Sequence, residues 1–114
     1  MSKRDVMALI YDMHLHASDV CVFTSDKGRA DLDTDRMLML AVTRALEVIG
    51  EAAGKIPSAD REKMPEIPWQ EIVGLRNRLA HEYAIIDLSI VWTVCTHDIP
   101  KLLVSLEEII DRNS

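Results

Sequence analysis

The stretch LMLAVTRALEVIGEAAGKI, residues 38–56, decides the fold class of this 114-residue chain. Its apolar side chains recur at alternating steps of four and three residues, which is typical of a helix that buries one stripe against antiparallel neighbours. The members of this stripe are Leu38, Val42, Ala45, Ile49, Ala52 and Ile56. Asp33 and Thr34 are candidate caps for the start of the helix, and Gly54 is expected to break it.

Two further segments carry the same apolar spacing and predict two more long helices. The first segment has its stripe at Val6, Ile10, Met13, Ala17 and Val20. The last has its stripe at Leu88, Trp92, Cys95, Ile99, Leu102, Leu106 and Ile109. Asp87 is placed to cap the last helix, and Pro100 is expected to bend it without dividing it, because the apolar register continues past the proline.

A fourth helix is expected between these segments, from about Trp69 to about Tyr83. It follows a connector from Pro57 to Pro68 that has room for one short helix. Its apolar positions are fewer than those of the other helices, so its remaining side chains are candidates for function. The pattern predicts an all-α, up-and-down bundle of four main helices with a short connecting helix, as a single domain over residues 1–114.

Composition agrees with an all-helical protein and narrows its function. Aromatic residues make up 4% of the chain, too few for a sandwich of many short strands. The formal net charge of −6 argues against a protein that coats nucleic acid through bulk charge. No apolar run approaches the roughly 18 residues of a membrane helix, and no export signal is evident, so a cytoplasmic protein without membrane contact is expected. Cys21 and Cys95 are interpreted as reduced thiols, with a regulatory disulfide as the weaker alternative.

The start of the second long helix is apolar on nearly every face, from Met37 to Val42. A helix that packs within a single bundle needs only one apolar stripe, which is fewer apolar side chains than this segment carries. A second buried interface would explain them, which predicts a homodimer.

The fourth helix carries a group of polar side chains that suits a phosphodiester. In an ideal helix Arg76, Asn77, His81 and Tyr83 fall within one arc, and Asn77 and His81 are neighbours at i and i+4. The Asn77 amide is therefore expected to fix the orientation of the His81 imidazole. A guanidinium can pair with phosphate oxygens, and a histidine can serve as acid or base near neutral pH. RNA supplies its own nucleophile, the 2′-hydroxyl group. Two copies of the set across a dimer axis would provide both a base and an acid.

Arg76, Asn77 and His81 resemble the Arg, polar residue, three spacers, His motif of HEPN-superfamily ribonucleases, and Tyr83 is similar to the tyrosine of its HepT-like toxin branch. The segments 45–52, 67–69 and 87–92 resemble the same family. The resemblance implies a homodimeric toxin of a type VII-like toxin–antitoxin module, a metal-independent endoribonuclease that acts on cellular RNA and uses no cofactor. It further implies that Arg76 and His81 are catalytic and Asn77 supporting. An MntA-type nucleotidyltransferase antitoxin would silence the toxin by attaching AMP to Tyr83.

Two other interpretations of these residues stay open. The chain could be a non-catalytic, nucleotide-binding or adaptor subunit of a nucleotidyltransferase complex, which would bind its partner without turning over RNA. It could also be a purely structural helical dimer in which His81 affects only stability.

Overall fold

Eight helical segments make up the part of the chain that the computed structural model describes, residues 1–82 and 87–114, with the backbone alone at Glu82. They are α1 (Lys3–Thr24), α2 (Asp31–Thr34), α3 (Arg36–Lys55), α4 (Ser58–Glu62), α5 (Trp69–Glu82), α6 (Leu88–Thr93), a π-helical turn (Val94–Asp98) and α7 (Ile99–Arg112). The all-α bundle with a short connecting helix, α4, is confirmed. The short helix α2 was not predicted.

The predicted stripes of the first two long helices form the core. All five residues of the α1 stripe and all six of the stripe from Leu38 to Ile56 are buried. α3 packs between α1 and α5, and α1 packs between α3 and α7, so the helices follow the spatial order α5, α3, α1, α7. In the last helix the stripe residues from Cys95 onward are buried, whereas Leu88 and Trp92 are partly exposed and Val91 takes the core position.

Helix boundaries agree with the prediction in part. The cap of α3 is Asp35, whose carboxylate accepts a hydrogen bond from the Leu38 N–H at 3.0 Å, and neither Asp33 nor Thr34 takes this position because both belong to α2. Asp87 caps α6 as predicted, at 2.8 Å from the Ser89 N–H.

The helical path from Leu88 to Arg112 is continuous, as expected, but its irregularity is a π-helical turn ahead of Pro100. In this turn the Ile99 N–H donates to the Val94 carbonyl, one residue further back than in an α-helix. A proline ring has no N–H and clashes with the carbonyl four residues earlier, so a wider turn at this place accommodates it.

Helix α1 differs from the prediction in its overall apolarity. By length and composition it could span a membrane, contrary to the expectation that no segment would. Its core stripe is buried against α3 and α7, as in the central helix of a bundle. The additional hydropathy comes from apolar side chains on its outer face, including Leu15 and Val22.

Candidate active site

The start of α5 is held by contacts between the connector and the end of α3. The Arg61 guanidinium donates hydrogen bonds to the carbonyls of Ile56 at 2.9 Å and Ala53 at 3.1 Å, and so satisfies acceptors that the end of α3 leaves open. The same guanidinium lies 5.7 Å from the centre of the Trp69 ring, and the Trp69 indole N–H donates to the Met64 carbonyl at 3.0 Å. These contacts fix where α5 leaves the connector, and therefore where its later side chains lie.

Farther along, α5 lies unusually close to α3 at Gly50. A Cβ atom placed on Gly50 would overlap the Cβ of Arg76, and it would lie 2.7 Å from the Arg76 Cγ and 3.2 Å from the Ile72 carbonyl oxygen. Only a residue without a side chain fits between the two helices at this point. Gly50 therefore lets the stem of Arg76 rest directly on the α3 backbone.

The Arg76 guanidinium is held on two sides. Its Nη1 atom donates to the Oδ1 of Asn77 at 3.4 Å, and its Nη2 atom lies 3.7 Å from the Oε1 of Glu51. The same Glu51 oxygen lies 3.5 Å from Arg44 Nη1, so one carboxylate is placed between two guanidinium groups. The Arg76 side chain is about one-third exposed. It therefore has N–H donors available to bind an anion.

A shallow cleft of about 310 Å³ lies beside this arginine, between α3 and α5. It is lined by Gly50, Glu51, Gly54, Lys55, Val73, Arg76 and Asn77. Arg76 and Lys55 provide two cations against the one carboxylate of Glu51. The lining of the cleft is therefore positive within a chain of net charge −6.

His81 lies near the end of α5 and its side chain is exposed. Five residues separate it from Arg76, which corresponds to about 7.5 Å along the axis and about 140° around it. Among the residues that the structure describes, its ring has no hydrogen-bond partner, and the Asn77 amide oxygen bonds to Arg76 instead. The structure thus joins Arg76 to Asn77 by a hydrogen bond and shows none from either of them to His81. Tyr83, the predicted modification site, lies outside the described residues.

A larger cavity, of about 660 Å³, borders α5 on its other side. α3 forms its floor, and the π-helical turn and α7 form its far wall, with apolar residues such as Ile72, Leu75 and Leu102 in the lining. Arg78 lies outside the arc that contains Arg76, Asn77 and His81, and its side chain lines this cavity. The two faces of α5 therefore differ: one carries Arg76 and its neighbours, and the other borders an apolar space.

The geometry adds two residues to which sequence reasoning assigned no role, Gly50 and Glu51. Both lie on α3, more than twenty residues from the motif, so the periodicity of α5 contains no information about them. A glycine within a strongly helical segment was the available signal, since glycine there costs stability unless close packing requires it. Within residues 1–82 and 87–114, no group of three or more His, Cys, Asp or Glu side chains is arranged to hold a metal ion.

The chain is similar to known proteins over most of its length. A family model described as HepT-like, ribonuclease HepT-like, matches residues 13–109. Two Methanocaldococcus jannaschii proteins described as candidate ribonucleases are 46% and 40% identical to the chain. These matches cover 94% and 96% of the chain, and 98% and 95% of the relatives. A Thermococcus cleftensis protein named "Probable ribonuclease HepT" is 38% identical over 76% of the chain and 79% of its own length. No solved structure gives a significant match.

Proposed function

Because the chain belongs to the HepT-like ribonuclease family, we propose that it is a toxin that cleaves cellular RNA as an endoribonuclease without a metal ion. The observation that carries the proposal is the position of Arg76: its Cβ and Cγ pack against Gly50 of the neighbouring helix, and its guanidinium contacts Glu51 and Asn77 at the edge of a positive cleft. His81 follows on the same helix with its ring exposed.

The proposed reaction uses groups that the chain and RNA supply. The His81 imidazole of one subunit accepts the proton of a 2′-hydroxyl, whose oxygen attacks the adjacent phosphorus. The P–O5′ bond breaks, a second imidazole donates a proton to the leaving oxygen, and the products are a 2′,3′-cyclic phosphate and a 5′-hydroxyl. Arg76 offsets the negative charge that develops on the phosphoryl oxygens. Asn77 acts here as the supporting residue that steadies the guanidinium.

The second imidazole requires a second subunit, so the proposal includes a homodimer. Two apolar side chains at the start of α3 support it, because Met37 is 79% and Leu40 is 47% exposed in the single chain. These positions continue along one face of α3 to Arg44, Glu47 and Glu51 at steps of three and four. An interface on this face would bury the apolar pair and would lie beside the cleft of Arg76.

Regulation by a neighbouring nucleotidyltransferase is also part of the proposal, and it rests on family membership and the chemistry of the motif. An MntA-type antitoxin would attach AMP to Tyr83, two residues beyond His81. The added phosphate is an anion that a nearby Arg76 would bind, and the added nucleotide would occupy space that RNA needs. Co-expression with such a partner in the cytoplasm, followed by mass spectrometry of the Tyr83 peptide, tests this step.

The ribonuclease activity is tested by single-turnover cleavage of a labelled RNA, with and without a chelator. Arg76→Ala and His81→Ala are each expected to lower the rate by about 10²-fold or more. Matched controls are Arg78→Ala, which lies on the other face of α5, and His16→Ala on α1; both should cleave at nearly the wild-type rate. Loss of cleavage with chelator would exclude the metal-independent mechanism. Absence of RNA turnover with retained binding of a nucleotidyltransferase would favour a non-catalytic adaptor.

A further inference from the structure

The outer face of α1 carries an apolar stripe that no part of the described chain covers. Tyr11 is 52% exposed, Leu15 55% and Val22 66%. With the exposed Ala8 they follow one another at steps of three, four and seven residues, so they lie along one line of the helix. From Ala8 to Val22 this line is about 21 Å long.

The stripe is separate from the core stripe of the same helix. The buried residues of α1, from Val6 to Val20, lie on the opposite side and pack against α3 and α7. α1 is therefore apolar on two faces, whereas a surface helix of a monomeric protein is apolar on one. Ser18 interrupts the line between Leu15 and Val22, but three large exposed apolar side chains along one helix face are typical of an interaction surface.

Carboxylates flank the stripe on both sides. Asp5, Asp12 and Asp19 recur every seven residues along one side of it. On the other side lies α7, which packs against α1 and carries Glu107, in contact with His14 at 3.5 Å, and the exposed Asp111. Within the described residues, none of the three aspartates forms an ion pair, so their charge is available to a partner.

The charges decide among the possible occupants. A second copy of this chain would bring carboxylates against carboxylates along most of the stripe in either two-fold arrangement, because its borders are acidic and the cation on the same line, Arg4, lies beyond its N-terminal end. An anionic membrane surface would be repelled for the same reason. We propose that the outer face of α1 is a docking site for a protein segment with complementary chemistry, an amphipathic helix whose aliphatic stripe is bordered by lysine or arginine. This inference does not depend on the proposed ribonuclease activity.

The test uses the full chain and three labelled helical peptides of about 18 residues, enough to cover the stripe. The first peptide has leucines at steps of three and four bordered by lysines, the second replaces its lysines by glutamates, and the third keeps its lysines but replaces its leucines by glutamines. Fluorescence anisotropy should show binding of the first peptide at least about tenfold tighter than of either other peptide. Its affinity should fall as salt is raised.

Variants locate the binding surface. Leu15→Gln is expected to weaken binding of the first peptide by about tenfold, and the pair Asp12→Asn with Asp19→Asn by about fivefold. Ile90→Gln on α6 is the apolar control, since Ile90 is 42% exposed, and the pair Glu62→Gln with Glu71→Gln is the charge control; both should change the affinity by less than about twofold. All these side chains are wholly or partly exposed, so the variants should fold, which circular dichroism checks.

Four results would overturn the proposal. They are equal binding of the first and third peptides, an equal effect of Ile90→Gln and Leu15→Gln, a dimer that Leu15→Gln converts to monomer in sedimentation velocity, and flotation with phosphatidylcholine vesicles that Leu15→Gln abolishes. The last two would assign the stripe to a second copy or to a lipid surface.

Discussion

Replacing Gly50 by alanine tests the close contact on which the position of Arg76 depends. The new methyl group would overlap the Arg76 Cβ and approach the Ile72 carbonyl oxygen at 3.2 Å. Neither atom can move by a side-chain rotation, because a carbonyl and a Cβ are fixed to the α5 backbone. The only relief is a displacement of α5 away from α3 until the carbon atoms are about 3.5 Å apart.

Two opposing terms set the magnitude. Alanine in place of glycine within a helix stabilises by about 0.5–1 kcal/mol when nothing obstructs it. Overpacking of this kind costs about 1–3 kcal/mol, and the displaced α5 also loses contacts with α3. Overpacking wins, so Gly50→Ala is expected to lower the free energy of unfolding by about 1–2 kcal/mol net. RNA cleavage should fall further than stability explains, since Arg76 moves with α5.

Urea denaturation followed by circular dichroism at 222 nm gives the measurement, and the same molecule supplies its control. Gly54 lies in the same helix as Gly50, but a methyl group there would meet no obstructing atom within 4 Å, and Gly74 in α5 is equally open. Gly54→Ala and Gly74→Ala should each raise the free energy of unfolding by about 0.5–1 kcal/mol. If Gly50→Ala were as stable as these two variants, the close contact of α3 and α5 would be refuted. The explanation for the position of the Arg76 side chain would fail with it.

Three further outcomes are expected. Glu51→Gln should lower kcat for RNA cleavage by about threefold to tenfold with little change in KM, because the Arg76 guanidinium loses the carboxylate that holds it. Its control is Glu47→Gln, which removes a carboxylate that, among the described residues, contacts only Arg44 and should leave kcat unchanged. A hydrogen bond from Arg112 lowers the pKa of Glu66 below its ordinary value. The pair therefore stabilises the folded chain at pH values above the ordinary pKa, and this contribution is lost as the pH falls through the lowered pKa. The free energies of unfolding of Arg112→Ala and wild type, measured in urea, should converge in acid. Burial raises the pKa of the Cys95 thiol to about 12, so a disulfide reagent at pH 8 should leave it unmodified until urea unfolds the chain, as mass spectrometry of the labelled peptides would show.

Local sequence rules predicted the core because each helix buries its own stripe. The spacing of Val6 to Val20 and of Leu38 to Ile56 needs no knowledge of the neighbour, since any apolar stripe at this period must be covered. The cap at Asp87 follows from chain-local chemistry in the same way. The start of α5 at Trp69 also agrees with its prediction, whereas the expected end near Tyr83 lies outside the described residues.

The remaining features depend on contacts between segments distant in sequence. Asp33 and Thr34 failed as caps because α2 uses them, and Asp35 takes the position where the chain turns into α3. The expected irregularity at Pro100 takes the form of a π-helical turn, which the apolar spacing of the last helix does not distinguish from a bend. Gly50 acquires its meaning only when Arg76 lies opposite it.

The fixed position of the Arg76 side chain and the exposed His81 ring are both used in the proposed mechanism, in which a second subunit takes part. α5 packs mainly against α3, and Gly50 fixes the distance between the two helices at the level of Arg76. The phosphate-binding group is thus positioned within one chain, whereas the His81 ring has no hydrogen-bond partner among the described residues. Acid–base catalysis requires an imidazole held within hydrogen-bond reach of the proton that it transfers. In the homodimer that we propose, the partner subunit supplies the second imidazole, and the exposed face of α3 beside the Arg76 cleft is the contact surface.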